Sequence, residues 1–119
     1  MASDLNVQGK ITCAKEIEVV AMNANSIKAQ DINVALPNAA DYVFDANYDL
    51  KSLSDVESYV KENKHLPGVP SAKEIAENGM SVSQMSNIFL EKIEELTLHM
   101  IQLEKENKAL KAEMEQMRR

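Results

Sequence analysis

The stretch QMSNIFLEKIEELTLHMIQLEKENKALKAEMEQMRR, Gln84 to Arg119, decides how the rest of the chain is read. Its apolar residues fall at Phe89, Ile93, Leu96, Met100, Leu103, Leu110, Met114 and Met117, in steps that alternate four and three. Asn107 fills the one gap. This is a heptad register with Ile93, Met100, Asn107 and Met114 at a, and Phe89, Leu96, Leu103, Leu110 and Met117 at d. No Gly or Pro interrupts the run. At ~1.5 Å rise per residue it makes a rod of roughly 50 Å. The plainer alternative, a surface helix lying on a globular core, fits poorly because four heptads outrun what so small a domain covers. The spacing predicts a helix that pairs with copies of itself.

Two details set the expected geometry of that pairing. An Asn at an a position is costly in an apolar seam unless it meets the same residue of another chain, where it fixes register and strand number. The g-to-e pairs around it are Glu106 with Lys111 and Glu113 with Arg118, which meet and attract only when the chains run parallel. Each exposed pair is worth only about 0.3–0.5 kcal/mol, so they choose orientation more than they supply stability.

Working back toward the N-terminus, three serines carry helix-start signals. Ser54 with Glu57 and Ser71 with Glu74 read as capping boxes for two shorter helices, and Ser81 with Gln84 as a third that opens the long helix. Asn78-Gly79 is the expected stop of the middle one. Between the short helices lies Leu66-Pro-Gly-Val-Pro70, a tight non-helical turn, since the prolines lack donors and Gly68 accepts a positive φ. Tyr42-Val-Phe44 reads as a short strand. Ile88, Leu90, Leu98 and Ile101 lie outside a and d, which predicts that the small elements fold back onto the first turns of the long helix while its distal half stands alone. Residues 39–80 are thus expected to be a compact knob, with residues 81–119 the coiled-coil helix.

Residues 1–38 contain an internal repeat. Ala2-Ser-Asp-Leu-Asn-Val7, Ala14-Lys-Glu-Ile-Glu-Val19 and Ala29-Gln-Asp-Ile-Asn-Val34 share the form Ala-x-acid-apolar-polar-Val. Each ends in the alternation of a half-buried strand, and such strands bury their apolar face only by stacking. The expected fold is therefore α+β: strand repeats forming an intertwined trimeric β-prism, a small helical and turn knob, and a long parallel coiled-coil helix.

Composition narrows the function. The net charge is −6, with 12 acids and 7 bases over residues 1–83 and 7 acids and 6 bases beyond. Without a basic stripe, nucleic acid and anionic membrane are excluded as expected partners. The opening MASDLNVQGK has no apolar core of a signal peptide, and no run approaches 18 apolar residues, so neither export by its own signal nor membrane insertion is expected. The single Cys13 rules out an internal disulfide framework and is read as a small buried apolar residue. His65 and His99 stand far apart. Asp41, Asp45 and Asp49 recur every four residues, whereas an EF-hand loop uses alternate positions and a central Gly. No phosphate loop, nucleophile elbow or HExxH is present. The expectation is no enzyme, no metal and no cofactor.

One pattern in the chain points to a family. Ala40-Asp-Tyr-Val-Phe44, Tyr48-x-Leu50, Leu53-x-x-Val56-Glu57, the block Lys61-Glu-Asn-Lys-His-Leu-Pro-Gly-Val-Pro-Ser-Ala72, and Leu90-Glu-Lys-Ile-Glu-Glu-Leu-Thr-Leu98 together resemble a C-terminal module of tail-fibre-like proteins from Bacteroides-type gut anaerobes and their phages. Gly9-Lys-Ile11 and Ala14–Val19 look like the strand repeats that precede that module. The resemblance implies a trimeric fibre end-piece. Family members usually carry a long shaft and this chain only three repeats, which implies a short fibre or decoration protein of a virion. Its expected partners are two further copies of itself in a parallel homotrimer, and other virion structural proteins. A receptor- or glycan-binding tip is the alternative, which an exposed patch of Tyr42, Tyr48 and Tyr59 would support. A cytoplasmic bacterial scaffold borrowing the module is another.

Overall fold

A helix satisfies its own backbone, while a strand needs a neighbour, and this difference governs which expectations hold. The computed structural model describes residues 3–119; the chain divides into two units, Met1–Ile32 and Asn33–Arg119.

In the first unit no strand forms, and among the described residues of the whole chain there is none. The α+β fold with a β-prism over residues 1–38 is therefore corrected: the protein is built from three α-helices and a 3-10 turn. The reason is local. The link Val20-Ala-Met-Asn-Ala-Asn-Ser-Ile-Lys28 holds no Asn-Gly or Gly-x turn that would fold one repeat back on another, and Gly9, in the link before it, does not take the positive φ of a hairpin turn. Hence no ladder supplies partners for the backbone of the arm, and Leu5, Ile11, Ile17 and Ile27 stay exposed. The first repeat begins at Ala2, which lies outside the described residues. Cys13 is exposed rather than buried, its thiol donating to the Glu16 carbonyl at 3.1 Å.

The second unit is helical. The helices are α1 (Leu53–Asn63), α2 (Ala72–Asn78) and α3 (Val82–Met117). Two of the expected starts are where the serines place them. Ser71 accepts from the Glu74 amide while Glu74 reaches back to the Ser71 amide, a complete capping box; Ser81 accepts from the Gln84 amide, but the Gln84 side chain does not return the bond, so the third box is only a cap. For α1 the cap is Ser52, accepting from the Asp55 amide at 3.1 Å, rather than Ser54. Both serines stand three residues before an acid. With Ser52 as cap, Glu57 is freed to pair with Lys61 at 3.1 Å one turn on. Gly79 ends α2 with φ +70, and Gly68 takes φ +76 in the Pro-Gly turn.

Tyr42–Phe44, expected as a strand, is a 3-10 turn closed by Phe44 and Asp45 amides donating to the Asp41 and Tyr42 carbonyls. Winding the segment lets Ala40 and Val43 sink against α3, where Val43 is only 1 % exposed. This turn, more than α1 or α2, is what seats the knob on the long helix. From Ile101 onward every residue of α3 is exposed. At 36 residues α3 is about 54 Å long. No helix among the described residues is long and apolar enough to cross a membrane.

Candidate functional site

The heptad letters divide α3 into two faces, and the chain uses them differently. Positions b, c, f and g hold the knob. Asn87 at b accepts the Ala40 amide through Oδ1 at 2.6 Å, and its Nδ2 donates to the Tyr42 hydroxyl at 3.5 Å. The Tyr48 hydroxyl donates to Glu95 at c at 2.6 Å and lies 3.2 Å from Glu91 at f. Lys92 at g closes an ion pair with Glu95 at 3.1 Å, both side chains being about four-fifths shielded. Burial, then Glu95 and Glu91, push the Tyr48 phenol well above its ordinary range, so it stays a neutral donor.

Glu94, at b, is the one charged residue sealed beneath the knob, 5 % exposed, with Oε1 lacking any hydrogen-bond partner. Burial and the neighbouring carboxylates Asp41 and Glu91 raise its carboxyl above the ordinary range. A buried acid against like charges is eased by taking up a proton.

Positions a and d form the other face. Phe89, Ile93, Leu96, Met100, Leu103, Leu110, Met114 and Met117 are all exposed, from 51 % at Leu103 to 86 % at Met117, and Asn107 is exposed among them. The stripe continues past the knob and is not drawn into it. Helix ends and good helix formers carry the distal half locally. Lys108 pairs with Glu104 at 2.9 Å and Gln102 with Glu106 at 3.1 Å, each such contact being worth about 0.2–0.5 kcal/mol.

Between the two faces runs a groove of about 350 Å³, walled by the start of α1, the Leu66-Pro67-Gly68 turn and one side of α3. Leu53, Val56, Leu66 and Leu96 give it an apolar lining, while Tyr48, Glu91, Lys92, Glu95 and His99 supply its polar rim. A methyl at Gly68 would sit 3.6 Å from Lys92 Nζ, ordinary contact, so the positive φ is what demands glycine there.

The residues that dock the knob, Asn87, Glu91, Glu94, Glu95 and Tyr48, are not marked by the heptad pattern, which assigns b, c and f to solvent. The apolar residues outside a and d, Ile88, Leu90, Leu98 and Ile101, predicted that this stretch of helix is covered, but not which polar residues would do the docking. His65 is a packing residue, edge-on to Tyr59 with ring centroids 5.5 Å apart and Nδ1 3.0 Å from the Leu66 carbonyl. The tyrosines do not gather as one patch. Tyr42 and Tyr48 neighbour each other at 6.1 Å, whereas Tyr59 pairs with His65. Among the described residues no group of three His, Cys, Asp or Glu side chains is arranged to hold a metal. Comparison with family models, with curated proteins and with solved structures finds no match for the chain.

Proposed function

We propose that the protein is a structural, parallel homotrimeric fibre or decoration protein of a phage particle, assembled through α3. The observation that carries assembly is the bare stripe. All nine a and d residues are exposed while the opposite side of the same helix is occupied by the knob. Most of a helix's stability in a protein comes from packing its amphipathic face, and the distal half of α3 packs on nothing within its own chain, so it calls for a partner. Each Leu, Ile, Phe or Met buried by pairing adds about 1.5–3 kcal/mol.

The charge pattern supports parallel, in-register pairing, with Glu106 opposite Lys111 and Glu113 opposite Arg118 of the next chain. Met100, Met114 and Phe89 are bulky or adaptable side chains that a three-stranded core accommodates, which favours three chains over two. Leu at most d positions and Asn107 at a argue for two. The virion setting is supported by the fibre-module resemblance of residues 40–98. Sedimentation equilibrium should give about 40 kDa, three times the 13.3 kDa chain. A mass equal to one chain would end the assembly reading, and twice the chain would end the trimer.

A further inference from the structure

We infer that the groove between the knob and α3 is closed by the α3 of a second copy, whose Thr97 and Ile101 enter it. This rests on the parallel pairing proposed above. Leu96 belongs at once to the d stripe and to the groove lining, so the groove opens directly onto the seam. It lies on the g side of the helix, where Lys92 and His99 border it. In a parallel, in-register coil each g residue faces the e residue five positions on in the next chain. Lys92 therefore faces Thr97, and His99 faces Glu104, of that chain.

Ile101 stands one turn beyond Thr97 on the same side. Alone among the b positions of α3 it is apolar, and it is 46 % exposed, a residue that neither the a/d stripe nor the knob accounts for. Thr97 presents its methyl, because its hydroxyl already donates to the Ile93 carbonyl at 2.8 Å. The groove is prepared for such guests. Leu53 and Leu66 are exposed on its knob wall, and the carboxylate of Glu95 is held by Tyr48 and Lys92. No lone charge of that pair meets the incoming side chains. In a cyclic trimer every chain offers one groove and one e side, so all three grooves are filled and none is left over. The knob then clasps its neighbour, and the three knobs are locked in rotation about the axis.

The test uses the full chain with Cys13→Ser, as two differently tagged batches, one carrying Leu66→Cys and the other Thr97→Cys, refolded together under mild oxidation. A disulfide requires Cα atoms within about 7 Å, so a mixed disulfide reports the clasp. The expected result is a mixed-tag band at twice the chain mass, absent when Thr97→Cys is exchanged for Lys108→Cys on the outer face. Asn107→Cys serves as the seam control and should crosslink to itself. Crosslinking at Asn107 with no mixed band, from this pair or from Leu53→Cys with Ile101→Cys, overturns the clasp while the coiled coil stands. Failure at Asn107 as well overturns the coiled-coil reading and the clasp with it.

Discussion

The arm of residues 3–32 and helix α3 both expose rows of apolar side chains, yet only one of them has regular structure. In α3 each backbone amide finds a carbonyl four residues away, so a lone chain winds the helix and merely leaves its stripe uncovered. In the arm the apolar alternation of Ile17 and Val19 has the right period for a strand, but a strand's hydrogen bonds come from another strand. No turn in the arm supplies one. Periodicity of side chains is thus a sufficient signal where the hydrogen bonds are local, and an insufficient one where they are not.

The largest effect is expected in the apolar stripe of α3. Leu103→Asp places a charge in the middle of the stripe. If α3 is held by pairing, the variant should lose about 3 kcal/mol or more per chain and sediment as a monomer, with part of its helical circular dichroism gone. An unchanged mass would show that the stripe is not an interface. The equivalent change in the arm, Ile17→Asp at a residue 61 % exposed, should be nearly silent.

A second measurement separates the knob-bearing face from the stripe. Glu94 is protonated more readily in the folded protein than in the unfolded chain, because burial, Asp41 and Glu91 all disfavour its charge. The sign follows from that. The folded state holds the extra proton, so the associated stability is fully present below the ordinary carboxyl value and is lost as pH rises through the raised one. Glu94→Gln removes the charge and keeps the shape, and its amide can donate toward Asp41. The variant should melt a few degrees above the parent at pH 8 and level with it at pH 4. A difference independent of pH would mean that Glu94 is not ionised against its neighbours.

The smallest expected effect is that of the arm. Ile17→Asp should alter stability by less than about 0.5 kcal/mol, seen as a superimposable melting curve. A drop comparable to that of Leu103→Asp would mean that the arm's apolar residues are covered in the assembled protein, and the contrast between the two regions would collapse.

How much was legible from residues alone follows the same division. Ser71 with Glu74, Ser81 before Gln84, Gly79 as a stop and Gly68 in the turn were all readable, because capping and positive φ depend on atoms three or four residues apart. The a/d stripe was readable for the same reason. The sequence by itself therefore determined a long, self-capped, amphipathic helix preceded by two short ones. What tertiary structure alone decided was which side of that helix the chain covers for itself. Tyr42–Phe44 wound into a turn because Ala40 and Val43 had a surface to sink against, with Ala40 bonded to Asn87, 47 residues away, and no local rule announces it. Glu94 became the buried acid, and Leu96 the residue shared by stripe and groove, only once the knob lay on the b, c and f positions. Contacts of that range depend on where the chain returns, and nothing within a few residues of either partner encodes it.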